Sequence, residues 1–160
     1  MEYWILQHNP AILHNVAARP SKEDYWRIRW YDNRVNFGDV AFIWYAGSAR
    51  GIYNVAKIIS VPPHSHEVEN KMNEWWEEDR PYYDTVAFNR LSQYQAILIQ
   101  YEYEQDFGDS SCPPVSVAEL TREGFGGLLI IRMPRLGIYS IDQAVGERLL
   151  EYIRRRRGEG

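Results

Sequence analysis

Residues 37–57 limit the folds open to this chain more than any other segment. Strand-forming residues at Val40–Tyr45 precede a turn of small and polar residues at Ala46–Gly51, and a second run rich in β-branched residues follows at Ile52–Ile59. A glycine–aspartate pair just before the first run favours a tight turn, because glycine adopts unusual φ angles and aspartate bonds nearby backbone amides. The pattern predicts a β-hairpin within a compact, strand-rich domain.

Trp44 is the residue of this hairpin with the clearest functional interpretation. We expect its ring at the mouth of the hairpin, beside small residues that would let a ligand approach the backbone. An aromatic face next to accessible backbone suits a flat ligand with π electrons, such as a nucleobase. The same ring would serve equally well in the core of a sheet, and the segment alone leaves both interpretations open.

The aromatic content is high for a chain of 160 residues, which is most simply one domain. Aromatic residues make up 14% of the sequence, with six tryptophans and twelve tyrosines. Sheet cores use aromatic side chains, and the excess indicates a binding surface as well. The single cysteine, Cys112, excludes an intramolecular disulfide and a cysteine-based zinc site.

The sequence shows no evident transmembrane segment or membrane-targeting signal. It has no apolar run of about 18 residues, and a strand-like segment follows Met1 directly, where a secretory leader would lie. We therefore expect a cytoplasmic protein with no membrane partner.

The negative charge is concentrated in the middle of the chain. The net charge is −4, yet residues 61–109 alone hold eleven acidic and three basic side chains. The segments on either side are each slightly basic, which leaves room for a local basic face. A run of four arginines at 154–157 is more typical of a solvated helix end or a linker than of a ligand-binding element.

Further elements follow from periodicity and capping. The pattern predicts strands at Glu2–Gln7 and Tyr94–Tyr103 and a helix over Ser65–Asp79. The final helix is expected to begin with Ser140 as its cap, in a capping box with Gln143, and to pack on the sheet. The remaining segments are predicted as helices at Ala11–Ala18 and Val117–Thr121 and as an extended segment at Gly124–Ile131.

Short motifs occur in a fixed order over most of the chain. From the N-terminus they are Tyr3-Trp-Ile, the aromatic–basic segment around Trp26, Gly38-Asp, Ile43-Trp, Gly47, Gly51-Ile-Tyr, Val61-Pro-Pro, the strand at 94–103, Val-Ser-Val-Ala-Glu-Leu at 115–120 and Arg-Leu-Gly-Ile-Tyr at 135–139. Each motif is weak alone, but in this order they resemble an EVE domain, a family of the PUA-like superfamily close to the YTH domains.

The resemblance implies an α+β fold, namely a small, strongly curved, mainly antiparallel β-barrel surrounded by helices. Residues 1–153 would form one EVE/YTH-like domain, and residues 154–160 would be a basic tail or the start of a linker. We expect the isolated domain to be monomeric.

The resemblance also implies a function. EVE and YTH-like domains are readers of modified bases, so we expect this domain to bind DNA and to accommodate a flipped methylated base, N6-methyladenine or C5-modified cytosine, in an aromatic cage. It would serve as the specificity domain of a prokaryotic modification-dependent restriction system, with a fused or associated AAA+ GTPase or nuclease as partner and with no cofactor or metal. The alternative is a stand-alone binder of modified RNA.

The cage residues are carried over from the family pattern. Trp26 matches the first cage tryptophan, and Trp44 matches the aromatic residue of the hairpin. Trp30 is either a cage wall or a packed strand residue. The second wall is expected from the insertion after the hairpin, where Trp75 and Trp76 lie. One of these two is expected in the core, and Tyr82 or Tyr83 are alternatives as the residue that closes the pocket.

Polar candidates surround the expected cage. Asn9 matches a position that bonds the base edge in YTH-like proteins, although before Pro10 it also suits a turn. Ser48 lies in the hairpin turn and is a second candidate for a polar contact with the ligand. The expected phosphate contacts come from basic residues on the rim: Arg27, Arg29 and Arg50.

Patterns typical of an enzyme are weak. His64 and His66 are two residues apart in a proline-flanked loop, which is more typical of exposed side chains than of a zinc site. The acidic residues at 74–79 suit the solvated face of a helix, and no histidine accompanies Cys112 as a nucleophile would require. The sequence therefore favours a binding module.

Overall fold

The computed structural model describes residues 1–8, 22–29, 33–108, 111–133 and 137–158. The strands within these residues are β1 (Tyr3–His8), β2 (Glu23–Ile28), β3 (Val40–Tyr45), β4 (Gly51–Ser60), β5 (Gln95–Tyr101), β6 (Val115–Ser116) and β7 (Ile138–Ile141). The α-helices are α1 (His66–Asp79), α2 (Thr85–Leu91), α3 (Val117–Arg122), α4 (Leu129–Arg132) and α5 (Gln143–Arg156), and a 3-10 turn at Arg80–Tyr82 follows α1. None of the helices in these ranges is long and apolar enough to cross a bilayer.

The strands form one curled, mixed sheet in the order β2-β5-β4-β3-β1-β7, and β6 pairs with the start of β4. Only the β1–β3 pair is parallel among these pairings, so the predicted α+β class and mainly antiparallel sheet are confirmed. Within the described ranges no pairing joins β2 to β7. The sheet is therefore a half-barrel, and the expected barrel is not closed by backbone hydrogen bonds.

The predicted hairpin is confirmed as β3 and β4, with Tyr45 opposite Gly51 at its turn. A β-bulge interrupts the pair, because Ile43 lies opposite Asn54 while Trp44 lies opposite Ile52. Tyr53 is the extra residue. A bulge re-aims the side chains beside it, and this one turns two neighbouring residues of β4 toward the same end of the sheet.

Alternation along the strands divides the core between two faces of the sheet. One face is covered by α5 and α3 and contains Tyr3, Ile5, Phe42 and Trp44. Trp44 lies next to the turn of the hairpin but is only 1% exposed, so its ring is not available to a ligand and the second interpretation, a core residue, is the one that the structure supports. The opposite, concave face is filled by another group: Trp4, Leu6, Ile28, Ala41, Ile43, Ala56, Ile58, Ile97 and Ile99.

The helix predictions are confirmed in part. The helix predicted over Ser65–Asp79 is confirmed as α1, and Ser65 caps it by accepting a hydrogen bond from the Val68 amide at 3.2 Å. The final helix begins later than predicted, because Ser140 is an exposed residue of β7 and Asp142 accepts from the Ala144 amide at 3.0 Å instead.

Two other predicted segments are not found as expected among the described residues. The extended segment predicted at 124–131 is wrong, since a short helix, α4, begins at Leu129. The helix predicted at 11–18 lies outside the described residues.

The arginine run is integrated into the fold. The sequence prediction placed residues 154–156 in a tail, but they form the last turn of α5. Three arginines of the run contact either the segment that follows β5 or the helix α3. Arg154 bonds Glu102 at 2.8 Å, Arg156 bonds Glu119 at 2.7 Å, and the Arg157 guanidinium lies 4.3 Å from the centroid of the Tyr103 ring. The end of α5 therefore holds the start of the segment after β5 and the helix α3.

Gly146→Ala tests the close approach of α5 to β1. A Cβ atom at Gly146 would lie 2.2 Å from Cγ of Tyr3. Although alanine favours a helix over glycine by about 1 kcal/mol, overpacking costs about 1–3 kcal/mol, so we expect a lower free energy of unfolding in urea. Ala144→Gly, at an exposed position of α5, is the control for helix propensity alone. A stabilised Gly146→Ala protein would contradict this packing.

Candidate functional site

Several polar and aromatic side chains meet at one end of the curled sheet. The carboxyl ends of β1, β3 and β5 lie there together with the amino ends of β2 and β4, because β1 and β3 are parallel and the other pairs antiparallel. We call this group the aromatic–carboxylate site. It consists of His8, Asp24, Trp26, Tyr45, Tyr101 and Asp106.

The site is assembled by the curl of the sheet. His8 ends β1 and Trp26 lies on β2, and three strands separate β1 from β2 in the sheet order. Their rings nevertheless meet edge to face, with centroids 6.0 Å apart and an interplanar angle of 71°. The contact therefore spans the concave interior and brings two distant strands to one site.

The rings leave part of their surface accessible. His8 also contacts Tyr45, with ring centroids 5.1 Å apart, and Tyr45 stacks on the bulge residue Tyr53 at 4.4 Å. His8, Trp26, Tyr45 and Tyr101 are all half-buried. Aromatic faces held rigid and partly exposed can take up a flat apolar ligand by stacking.

Two tyrosine–carboxylate pairs add polar groups. The Tyr101 hydroxyl donates to Asp24 Oδ2 at 2.9 Å, and the Tyr45 hydroxyl donates to Asp106 Oδ2. Asp106 lies on the loop after β5 and also accepts from Asn54 Nδ2 at 2.8 Å.

Asn54 is a buried anchor, only 1% exposed. Its Oδ1 accepts from the Val55 amide at 2.8 Å, and its Nδ2 donates to the Tyr103 carbonyl at 3.2 Å as well as to Asp106. Because the amide is held on both sides, it fixes the position of an otherwise exposed loop carboxylate.

The environment sets the charge of the site. Burial raises the pKa of Tyr45 and of Tyr101 well above the usual value, and the neighbouring carboxylates act in the same direction, so both phenols keep their protons. Burial lowers the pKa of His8 and outweighs the opposite effect of the Asp106 charge. The lowered pKa favours a neutral imidazole. The described ionisable groups of the site, two carboxylates and a histidine that favours its neutral form, therefore contribute negative charge.

Trp26 is the predicted cage residue that lies at this site. Trp44, Trp75 and Trp76 lie elsewhere in the fold. Trp76 is 5% exposed and stacks on Phe88 at 4.1 Å, in a cluster between α1, α2 and the outer face of β2 and β5. Trp75 packs at the edge of the same cluster, near Tyr25. Successive residues of a strand point to opposite faces, so this cluster is separated from Trp26 by the sheet.

The alternatives for closing the pocket belong to that outer side as well. Tyr83 packs on Trp76, with ring centroids 5.2 Å apart, and Tyr82 is 40% exposed at the end of the 3-10 turn. Trp76 is a core residue, as expected for one of the two tryptophans, and Trp75 and Tyr83 pack in the same cluster away from the aromatic–carboxylate site.

The predicted phosphate contacts divide in the same way. Arg27 lies on the outer face, where its guanidinium is 4.3 Å from the Trp76 ring centroid and donates to the Tyr94 carbonyl at 2.9 Å. It is a packing residue, and its assignment to phosphate is wrong. Arg29 is exposed after β2, Arg50 is half-buried before β4, and Ser48 is exposed in the hairpin turn. Asn9 and Trp30 lie outside the described residues.

Sequence reasoning missed five of the six residues of the site: His8, Asp24, Tyr45, Tyr101 and Asp106. Strand alternation would have placed Asp24 beside Trp26, two residues away on β2. In β3 the alternation gives no signal, because all six residues are apolar or aromatic. Across the described ranges, no three His, Cys, Asp or Glu side chains are grouped closely enough to hold a metal ion.

A curled mixed sheet flanked by helices, with an aromatic site at one end, makes this an α+β half-barrel domain. The family model described as EVE domain matches residues 2–152. This chain belongs to the EVE domain family, which confirms the resemblance carried by its motifs. No curated protein matches the chain by sequence.

Solved structures share the fold at low sequence identity. A hypothetical protein from Leishmania major has a TM-score of 0.62 at 12% identity, covering 98% of this chain and 97% of that one. Human THYN1, solved in complex with 5-methylcytosine-containing DNA, has a TM-score of 0.60 at 16% identity, covering 96% and 98%. Atu2648 from Agrobacterium tumefaciens has a TM-score of 0.58 at 14% identity, covering 98% and 93%.

His8→Gln tests the burial of the imidazole. Because the folded-state pKa of His8 lies below its ordinary value of 6.5, the unfolded chain binds a proton that the folded chain does not. The wild-type free energy of unfolding should therefore fall as the pH drops from 6.5 toward the folded-state pKa, and the variant should lack this part of the fall. Urea unfolding across a pH series measures it. His66→Gln, on the exposed start of α1, is the control, and a difference between wild type and His8→Gln that does not change with pH would contradict the assignment.

Proposed function

We propose that this protein is a non-enzymatic reader of methylated DNA that holds a flipped, methylated base against Trp26. The observation that carries the proposal is a half-buried tryptophan which, with His8 and Tyr45, lines an accessible site in a member of the EVE family. Human THYN1, which has the same fold, was solved with 5-methylcytosine-containing DNA, and this supports C5-modified cytosine as the ligand. N6-methyladenine is the second base to test.

In such a site, the free energy that extracting a base costs and the free energy that stacking returns are of similar size. Extracting a base from the stack costs a few kcal/mol, and stacking on an aromatic side chain returns about 1–3 kcal/mol per base. A buried methyl group adds about 0.8 kcal/mol. The methyl group therefore decides between binding and release only if the rings lie close around it, which the contacts of His8 with Trp26 and Tyr45 favour.

The phosphate backbone needs a different surface, because the site itself is electronegative. Arg50 immediately precedes Gly51, the residue opposite Tyr45, and is the cationic side chain next to the site along β4. We propose Arg50 as a phosphate contact, with Arg29 as a second donor after β2. Ser48, exposed in the same turn as Arg50, is proposed as a polar contact to the DNA.

In the cell, we propose that the domain supplies specificity to a modification-dependent restriction system. A reader without catalytic groups needs a fused or associated AAA+ GTPase or nuclease to act on the DNA it selects. Co-expression with such a partner should restrict transformation by methylated plasmid and leave unmethylated plasmid untouched. Equal transformation by both plasmids would exclude this role while leaving DNA binding to be measured on its own.

Trp26→Ala should weaken binding to 5-methylcytosine DNA by about 1–3 kcal/mol, because the base loses its stacking partner. Fluorescence anisotropy with labelled methylated and unmethylated oligonucleotides, in DNA and RNA, measures the change and decides between the two nucleic acids. Trp75→Ala is the matched control: a half-buried tryptophan on the opposite side of the sheet, whose loss should leave the affinity unchanged. Equal effects of the two variants would place the ligand elsewhere.

Arg50→Ala should weaken binding to methylated and to unmethylated DNA equally, because phosphates carry no base identity. It should also lower the slope of log affinity against log salt concentration by about one unit. Affinities at several salt concentrations measure both effects. Arg155→Ala, an exposed arginine paired with Glu151 on α5, is the control that removes the same charge away from the site. A change in the ratio of the two affinities would assign Arg50 to the base instead of the phosphate.

A further inference from the structure

A reader of 5-methylcytosine faces a competitor that is present throughout DNA. Thymine has the same pyrimidine ring and the same C5 methyl group, so stacking and a methyl contact do not distinguish the two bases. They differ in hydrogen-bonding groups: at C4 cytosine carries a donor amino group and thymine an acceptor oxygen, and at N3 cytosine accepts a hydrogen bond where thymine donates one. Any discrimination must come from polar groups of the site.

The polar groups of the aromatic–carboxylate site are mainly acceptors. The hydroxyl protons of Tyr45 and Tyr101 are donated to Asp106 and Asp24, which leaves lone pairs on the phenol oxygens. The carboxylates themselves only accept. High phenol pKa values keep this direction of donation fixed at neutral pH.

Few donors remain at this site among the residues that the structure describes. Both amide hydrogens of Asn54 are used, one by Asp106 and one by the Tyr103 carbonyl. A neutral His8 ring contributes a single N–H, and the Trp26 indole contributes one more. A ligand edge that presents donors therefore fits this lining, and an edge that presents carbonyl oxygens meets oxygen lone pairs.

We infer that Asp106, supported by Asp24, selects bases with an exocyclic amino group and rejects thymine and uracil at this site. The inference rests on the proposed function and names the substrate class within it. A carboxylate accepts the amino hydrogens of cytosine or adenine, and it repels the C4 oxygen of thymine, so the same residue attracts one base and excludes the other.

Asp106 is the better placed of the two carboxylates. It is exposed on its loop, yet Asn54 and Tyr45 hold it in position. Asp24 is half-buried and bonded both to the Tyr101 hydroxyl and to the Tyr25 amide at 2.8 Å. Asp106 therefore reaches the ligand, and Asp24 contributes mainly its charge.

The test uses the full chain and four DNA duplexes that differ in one base: 5-methylcytosine, cytosine, thymine or uracil. Each test base faces an abasic site, so differences in base-pair strength do not contribute. We expect wild type to bind 5-methylcytosine about 10- to 100-fold more tightly than thymine, the range expected when polar groups are mispaired in a site. Cytosine should exceed uracil by a similar factor.

Asp106→Asn is the decisive variant, because asparagine keeps the shape and adds a donor. We expect the preference for 5-methylcytosine over thymine to fall by about tenfold while the preference for 5-methylcytosine over cytosine is unchanged. Glu104→Gln removes an exposed carboxylate from the same loop and is the matched control, expected to leave both ratios as in wild type. Circular dichroism and urea unfolding verify that both variants are folded.

The outcomes separate this inference from the proposed function. Equal binding of thymine and 5-methylcytosine by wild type, or equal effects of Asp106→Asn and Glu104→Gln, overturns the role of Asp106. If either of these results occurs while Trp26→Ala still weakens binding, the reader function stands and only the amino-group selection fails. If Trp26→Ala has no effect on any duplex, the proposed function fails with it.

Discussion

A buried carboxylate holds the structure together where β1 and β3 begin. Asp39 is 2% exposed and accepts hydrogen bonds from the Glu2 amide at 2.9 Å, from Trp4 Nε1 at 3.0 Å and from the Asn36 amide at 2.9 Å. Charge-assisted hydrogen bonds of this kind are stronger than neutral ones. They fix the register of the parallel pair from its first residue, and the same register places His8 beside Tyr45 five residues later.

The site depends on that register and on the curl of the sheet together. Parallel pairing brings two rings to one end, and the curl closes the concave side until His8 meets Trp26 from β2. The bulge in β4 then turns Tyr53 toward Tyr45 and places Asn54 where it anchors Asp106. Each step uses backbone geometry already required by the fold, so the aromatic faces and the carboxylates are rigidly placed before a ligand arrives.

The end of α5 supports the loop from the other side. Arg157 covers the rings of Tyr103 and Phe107, and Arg154 pairs with Glu102, on the segment that contains Asp106. The basic residues of the C-terminus thus neutralise part of the acidic middle of the chain within the fold. In our proposal, the aromatic–carboxylate site binds an amino-bearing base, and separate arginines bind the phosphates of the DNA.

Local patterns in the sequence determined the hairpin, the start of α1 and the family, because each depends on residues close together in the chain. Trp26 followed from the family pattern alone. Tertiary structure decided the rest. An all-apolar β3 hides which residues face the core, so Trp44 and Tyr45 could be distinguished only by their partners across the sheet. Asp106 lies 61 residues from Tyr45 in sequence, and only the curl of the sheet and the Asn54 anchor bring them together.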